Sequence, residues 1–318
     1  MDTMTYATQH IWTWWIAAYL FFGGMGAATL SVSFLTDMFC RPHPKLVTWG
    51  ALSGVIMLLI SSAVLFAHLL HHVAVIYVLN PLVLFQQPTA WIAWGTQFIL
   101  WMMVWGIVYA LPYMREMPAF AKIPLLGRFV QSKLGATISN LSTRYHRVIG
   151  WLATINGIGT AVYTGLLLQS FPAVALWHNP GVPLLFTVSA FSTAFAYLLL
   201  LLHTAIRDEN DDDLRTRFER FDAILIAAEL VILFSFFNYT LSGSESGYRS
   251  AQLLWGNMGW LVGFIGFGLL VPFVLELRNL LRGTVGHFST IASAALVLMG
   301  GYLLRHYFMY AGVYAFPW

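Results

Sequence analysis

The chain has 318 residues, of which 59% are hydrophobic and only 9% are charged, and its formal net charge at pH 7 is +3. A soluble globular domain carries about 25% charged residues, so this composition excludes a soluble protein and leaves no room for a large soluble domain. The single cysteine, Cys40, cannot form a disulfide within the chain. It also cannot supply the four thiolates that an iron–sulfur cluster typically uses.

Eight stretches are long and apolar enough to cross a bilayer as helices, which takes about 20 residues each. Helices are expected because lipid offers the backbone no hydrogen-bonding partners. The predicted spans are Ile11–Thr36, Leu46–Leu70, Trp91–Tyr113, Val148–Gln169, Val182–Ile206, Phe221–Leu241, Leu253–Leu275 and Phe288–Val313. The predicted fold is therefore all-α: a polytopic membrane protein in which residues 1–318 form a single eight-helix transmembrane domain.

The basic residues lie almost entirely on one side of these spans. The loops after spans one, three, five and seven hold 14 of the 16 basic residues, whereas the other side holds only Arg249 and span eight contains Arg305. Loops rich in lysine and arginine stay in the cytoplasm. We therefore expect a multi-pass protein of the cytoplasmic (inner) membrane with both termini in the periplasm or outside the cell.

The segment between spans five and six, Arg207–Arg220, mixes acidic residues with four arginines. It is predicted to be a solvated cytoplasmic loop. The next span carries Asp222 and Glu229, which share a helical face because they are seven residues apart. A carboxyl group as deep in the membrane as Glu229 is a candidate for proton transfer. The alternative is a protonated Glu229 that hydrogen-bonds to a neighbouring helix.

An arginine stands inside span eight, where a central arginine costs at least about 2.5–3.5 kcal/mol. At a rise of about 1.5 Å per residue, Arg305 lies roughly 26 Å from Phe288 and so near the outer face. Two interpretations are open. The side chain either reaches the interface with its long stem, or it holds a polar or anionic ligand.

Other polar residues are predicted to lie at the same outer depth. They are Tyr19 on span one, His68, His71 and His72 at the end of span two, Tyr163 on span four, and Asn238 and Asn257 at the ends of spans six and seven. Asn156, Thr160 and Tyr163 also share one face of span four. For the two tyrosines, the alternative to ligand binding is a hydrogen-bonded interior hydroxyl. For each histidine alone, it is an interfacial position.

Several motifs recur in a recognisable order along the chain. They are the run Tyr19–Ala28 (YLFFGGMGAA), Tyr163–Gln169 (YTGLLLQ), Trp177, Pro183–Ala190 (PLLFTVSA), Ala228–Leu230 (AEL), Gly300–Arg305 (GGYLLR) and Ala311–Gly312. In this order and spacing they resemble the NrfD/PsrC family, the integral membrane subunit of polysulfide reductase and related complexes. The resemblance runs along almost the whole chain.

The resemblance implies an eight-helix subunit that exchanges electrons with a quinone, expected to be menaquinone or menaquinol, and has no haem or iron–sulfur cluster of its own. It implies two partners outside the membrane, a four-cluster ferredoxin-like iron–sulfur subunit and a molybdopterin catalytic subunit. By position, Tyr163 matches a helix-four tyrosine near the quinone headgroup, and Arg305 matches an arginine near the end of the last helix. Tyr19 falls at a polar ligand position, and Glu229 matches an acidic position on helix six.

The candidate catalytic residues are therefore Tyr163, Arg305 and Glu229. The candidate quinone-binding residues are Tyr19, His68, Tyr163, Arg305 and Asn156, of which His68 and Asn156 are added by depth and by helical face. No metal ligand and no nucleic-acid partner are predicted.

The predicted function is a quinol-oxidising or quinone-reducing membrane anchor. It would pass electrons to the extracytoplasmic iron–sulfur subunit of a molybdopterin-type oxidoreductase, such as polysulfide, thiosulfate or tetrathionate reductase. Two alternatives are open. The ten histidines allow a dihaem cytochrome b-type anchor, which needs paired axial ligands on facing helices, and the apolar spans alone would also suit a transporter or structural anchor.

Overall fold

The computed structural model describes residues 4–40, 42–69, 74–124, 126–206, 211–282 and 286–317. Within these ranges the chain forms helices and one two-stranded sheet. The elements are β1 (Met4–Thr8), α1 (Trp14–Phe39), α2 (Pro44–His68), α3 (Ala74–Leu79), α4 (Val83–Gln86), α5 (Trp91–Glu116), α6 (Pro118–Ala121), α7 (Leu126–Gln131), α8 (Lys133–Arg144), α9 (His146–Gln169), α10 (Gly181–Thr204), α11 (Asp212–Ser242), α12 (Glu245–Trp255), α13 (Gly259–Arg282), α14 (His287–Tyr310) and β2 (Val313–Pro317).

Eight of these helices are long and apolar enough to cross a membrane, namely α1, α2, α5, α9, α10, α11, α13 and α14. The predicted all-α fold with eight transmembrane helices is therefore confirmed. The first half of α13, Gly259–Leu270, is wound as a π-helix.

Predicted span seven began too early, because Leu253 and its neighbours belong to the separate helix α12. Two side chains cap the helices on either side of the break. The Ser244 hydroxyl accepts a hydrogen bond from the backbone N–H of Gly247 at the start of α12 (3.2 Å), and the Asn257 side chain accepts one from Gly259 at the start of α13 (2.9 Å). Such caps replace the partners that a helix start lacks.

The prediction of a solvated loop over Arg207–Arg220 was wrong for residues 212–220, which form the first turns of α11. Acidic residues in the first turn stabilise a helix, because their negative charge interacts favourably with the positive end of the helix dipole. The Asp213 carboxylate also pairs with Arg217 one turn further on (2.8 Å). Residues 207–210 lie outside the described residues.

The central helix of the bundle is α1, which packs against α2, α5, α9, α10 and α14. In the apolar 18-residue stretch of α1 that is long enough to span a membrane, 89% of the residues are buried inside the protein. Its glycine-rich run allows the closest approach: a Cβ atom on Gly26 would lie 2.9 Å from the carbonyl oxygen of Gly54 on α2. Small residues at such contacts let membrane helices pack closely.

The two ends of the chain meet in the antiparallel sheet of β1 and β2, in which Thr8 pairs with Val313. The carbonyl groups at the end of α14 are satisfied nearby, since the Gln9 side chain donates to Met309 and the Trp177 indole donates to the carbonyl oxygen of Phe308 (2.8 Å). The helix therefore stops at Tyr310, although span eight was predicted to reach Val313.

We call the end of the bundle with this sheet the terminal end. We call the opposite end, which carries the connections after α1, α5, α10 and α13, the basic end. The side of the membrane that each end faces stays a prediction.

Candidate functional site

Two buried tyrosines form the centre of the candidate site. Tyr19 on α1 and Tyr163 on α9 are each 1% exposed, and their hydroxyl oxygens are 2.7 Å apart. Ser61 on α2 donates a hydrogen bond to the carbonyl oxygen of Tyr19 (2.8 Å). Each phenol can donate one hydrogen bond, and one O–H of the pair is used within it. The other O–H remains available to a ligand.

The ring of Tyr163 lies directly on the backbone of α5. A Cβ atom on Gly95 would be 2.0 Å from the Cζ atom of Tyr163, closer than any real carbon contact. The position of this ring therefore depends on the absence of a side chain at residue 95.

A cavity of about 450 Å³ lies beside Tyr19, between α1, α2, α3 and α5. The hydroxyl-bearing residues Tyr19, Ser62 and Thr96 are its only polar lining residues among those described, and the other walls are apolar. Leu59 and Phe66 line it and are also 53% and 47% exposed. The cavity therefore opens sideways, towards the surface that faces lipid. Its volume is within the range of about 300–1,000 Å³ that small-molecule sites occupy.

His68 is half-buried at the last residue of α2. Its neighbours Phe66 and Leu69 both line the cavity, whereas His68 itself does not. The predicted polar residues His71 and His72 lie outside the described residues.

Asn156 lies two turns before Tyr163 on α9, as its spacing predicts, but it does not line the cavity. Its side-chain amide donates to the carbonyl oxygen of Leu152 in the same helix (2.8 Å). Thr160 likewise donates to the carbonyl oxygen of Asn156 (2.8 Å). The shared face therefore brings only Tyr163 to the hydroxyl pair.

Arg305 is completely buried, and it does not line the cavity either. Its guanidinium donates to the Ser189 hydroxyl (2.7 Å) and to the carbonyl oxygens of Gly301 (2.8 Å) and Phe186 (3.1 Å). Gly301 precedes it by one turn, so the guanidinium points away from the terminal end, opposite to the direction that reaching this interface requires. The guanidinium also lies close to α1, since a Cβ atom added to Gly24 would be 3.8 Å from one of its nitrogens.

Glu229 on α11 is 2% exposed and lies close to the same group of residues. Its carboxyl interacts with the Ser189 hydroxyl and with the charge of Arg305. One of its oxygens, Oε1, has no hydrogen-bond partner among the described residues. Ser189 therefore links a buried carboxyl group to a buried guanidinium.

Further buried carboxyl groups continue from Glu229 towards the basic end. Asp222 on α11 accepts a hydrogen bond from Ser192 (2.6 Å), and Glu276 on α13 accepts one from Ser293 (2.8 Å). The second oxygens of these two groups, Asp222 Oδ2 and Glu276 Oε2, are buried without a hydrogen-bond partner among the described residues.

Glu219, one turn before Asp222, is the member of this buried set nearest the basic end and is 1% exposed. It accepts hydrogen bonds from Thr290 and from the Asn279 amide (3.4 Å). The sequence reasoning missed Glu219 and Glu276. A signal was present, since Glu276 follows immediately after the predicted end of span seven.

A separate carboxylate, Asp37, lies near the basic end of α1 and was also missed. It accepts hydrogen bonds from the hydroxyls of Tyr109 (2.8 Å) and Tyr113 (3.0 Å), from the His146 ring (3.0 Å) and from the backbone N–H of His43 (3.0 Å). These donors come from α5, α9 and the connection after α1. The Asp37 carboxylate thus accepts four hydrogen bonds and connects these three parts of the chain. It lies far from the cavity.

The arrangement offers hydroxyl donors beside an apolar cavity and a set of buried carboxyl groups further along the bundle. Tyrosine hydroxyls suit proton exchange with the oxygen of a ligand. The nearby charge of Arg305 favours negative charge developing in this part of the bundle. Among the residues that the structure describes, no cluster of three or more His, Cys, Asp or Glu side chains could hold a metal ion.

Similarity to known proteins covers the whole chain. The family described as "Polysulphide reductase, NrfD" matches residues 3–317. Protein NrfD of Escherichia coli (strain K12) is 26% identical over 95% of each chain, and the protein NrfD homolog of Haemophilus influenzae is 23% identical over 95% of this chain and 94% of the relative. The C subunit of polysulfide reductase from Wolinella succinogenes is 30% identical over 56% of this chain and 57% of its own length.

Proposed function

The chain belongs to the NrfD family of polysulphide reductase membrane subunits, and from this premise we propose that it exchanges electrons with a quinone bound in the cavity beside Tyr19. It would act as the quinol-oxidising or quinone-reducing anchor of a molybdopterin-type oxidoreductase. Its electrons would pass to an extracytoplasmic iron–sulfur subunit, because a chain with one cysteine cannot build a four-thiolate cluster itself.

The observation that carries this proposal is the cavity of about 450 Å³ with the Tyr19 hydroxyl in its wall. Apolar walls suit the ring and tail of a menaquinone-type molecule, and a lateral opening suits a molecule that arrives through the bilayer. A bound quinone or quinol would supply the exchange of two electrons and two protons. The residues of this chain would supply orientation and proton transfer.

In the proposed site the Tyr19 O–H donates to one oxygen of the headgroup, and Tyr163 stands behind it. The 2.7 Å bond between the two hydroxyls supports transfer of a proton along the pair. Tyr163 then acts on the headgroup through Tyr19. Arg305 stands on the other side of α1 and would favour negative charge on the headgroup through its electrostatic field.

The depth of the pair supports a partner at the terminal end. Tyr19 is five residues from the start of α1 and Tyr163 six residues from the end of α9, which corresponds to roughly 7–9 Å of helix rise. An iron–sulfur subunit seated over β1, β2 and α12 would therefore lie close to the headgroup. The positive charge at the other end favours a periplasmic terminal end.

We assign to Glu229 the exchange of protons between this region and the basic end. It has one oxygen without a partner among the described residues and a link to Arg305 through Ser189. Asp222 and Glu276 continue the set of buried carboxyl groups beyond it. Buried ionisable groups in transmembrane helices are typical of proton pathways.

The test compares Tyr19→Phe and Tyr163→Phe in the assembled complex. Each variant removes one hydroxyl and keeps the ring. We expect turnover with a soluble naphthoquinol to fall, more strongly for Tyr19→Phe, while turnover with a soluble electron donor that bypasses the membrane subunit stays unchanged. Tyr310→Phe, at an exposed position on the end of α14, is the matched control. Wild-type quinol turnover in both site variants would refute the assignment.

A further inference from the structure

The connection between α5 and α9 carries positive charge and no negative charge. Residues 117–147 contain no aspartate or glutamate. Their basic residues are Lys122, Arg128, Lys133, Arg144 and Arg147. The start of α11, at the same end of the bundle, instead pairs its arginines with aspartates. The surface of the α5–α9 connection therefore has no counterion within its own segment.

The main helix of this connection, α8, has two distinct faces. One face carries small buried residues and packs against α5. These residues are Gly135, Ser139 and Ser142. A second face carries Leu134 and Leu141, seven residues apart and therefore aligned on a helix of about 3.6 residues per turn. These leucines are 62% and 53% exposed, so α8 presents an apolar stripe that no described part of the chain covers.

Basic side chains border this stripe at both ends of α8. Lys133 is adjacent to Leu134, and Arg144 lies one turn beyond Leu141. The preceding helix, α7, repeats the pairing, with Arg128 next to Phe129, which is 36% exposed. Each exposed apolar side chain thus has a cation beside it, the pattern expected of a helix that lies in the interface of a membrane.

We propose that α7 and α8 form an interfacial surface that binds anionic phospholipids of the bilayer at the basic end. The apolar side chains would contact acyl chains, and Arg128, Lys133 and Arg144 would contact the negative headgroups. The charge complementarity favours a negative ligand. The surface also continues into α9, where the apolar side chains of Val148 and Trp151 are 57% and 47% exposed. This proposal does not depend on the quinone reaction.

Lipid retention tests the electrostatic part. The full-length protein, in nanodiscs that contain phosphatidylcholine and phosphatidylglycerol, is compared with a variant carrying Lys133→Gln and Arg144→Gln. The control carries Arg217→Gln and Arg220→Gln, which removes the same charge at the same end. Each basic residue near an anionic surface contributes about a fivefold change in affinity, so the first variant should lose at least about fivefold in phosphatidylglycerol enrichment relative to the control. Equal enrichment in both variants would overturn the proposal.

Depth measurement tests the apolar part. In a Cys40→Ser background, a spin label at Leu141→Cys should be accessible to oxygen in the acyl region and shielded from a water-soluble nickel complex. The label at the adjacent Asn140→Cys should show the reverse. Equal water access at both positions would refute the interfacial placement. Shielding of residue 141 only when another protein is bound would show that the occupant is a protein, which would also contradict the proposal.

Discussion

Replacing Gly95 with alanine should disable the hydroxyl pair without touching either tyrosine. The new Cβ atom would lie 2.0 Å from Cζ and 2.1 Å from Cε1 of Tyr163. Carbon atoms in contact are about 3.5 Å apart or more, so the ring must move by about 1.5 Å. A displacement of this size is large enough to take the hydroxyls, now 2.7 Å apart, out of the range of about 2.5–3.0 Å for a good O–H···O bond.

Loss of that hydrogen bond is worth about 0.5–1.5 kcal/mol, which corresponds to roughly a two- to tenfold loss of turnover. The assay is oxidation of a soluble naphthoquinol by the assembled complex, run beside turnover with a soluble electron donor. The control is Gly106→Ala on the same helix, where the Cβ atom would lie 3.1 Å from the flexible end of Leu30 and at an ordinary contact distance of 3.8 Å from Cζ of Phe34. We expect Gly106→Ala to retain wild-type turnover.

The same reasoning predicts that Gly95→Ala and Tyr163→Phe are not additive, because both act on one hydrogen bond. The double variant should lose no more turnover than Tyr163→Phe alone. Wild-type quinol turnover in an assembled Gly95→Ala complex would refute the geometry. Additive losses would show that residue 95 acts by another route.

Four further predictions rest on the fold and the candidate site. Reporter fusions at the two termini should place both in the periplasm, and a cytoplasmic C-terminus would contradict the orientation and the partner position together. The visible spectrum of the isolated subunit should show no Soret band, whereas stoichiometric haem would favour the cytochrome alternative. Glu229→Gln should slow quinol-linked proton exchange, measured as pH change in proteoliposomes, and unchanged exchange would leave Glu229 with a structural hydrogen bond only. Arg305→Lys keeps the charge but cannot form the fork of bonds to Ser189 and two backbone carbonyls. It should therefore reduce quinol turnover, and turnover equal to that of the wild type would show that charge alone suffices.

The helices were predictable because hydropathy and length report directly on burial in lipid. The ends were less predictable, because several of the predicted spans were ended at the first charged residue. Span one was ended at Thr36, one residue before Asp37, and span seven at Leu275, one residue before Glu276. In the structure both carboxyl groups lie inside helices, where hydroxyls on neighbouring helices donate to them. Hydropathy counts a charge as a boundary and does not register such partners.

The candidate site was predictable in depth but not in direction. Rise along a helix placed Tyr19, Tyr163 and Arg305 at similar levels, and the first two meet through their hydroxyls. Arg305 lies on the other side of α1, and its guanidinium reaches back by one helical turn, away from the terminal end, to the carbonyl oxygen of Gly301. Which side of the central helix a residue occupies depends on helix order and rotation, and one sequence does not report these. The cavity depends on α3, a short helix outside the predicted spans.

The pairing of β1 with β2 sets the order in which this protein can be completed during its synthesis. Thr8 is synthesised 305 positions before its partner Val313. At roughly 5–20 residues per second, translation needs about 15–60 s to span that interval. Throughout this time β1 presents an unpaired strand edge at the membrane surface, while the helices behind it insert one after another. The terminal end can therefore close only after β2 has been synthesised, and the platform proposed for the partner subunit forms only after α14 has entered the bilayer.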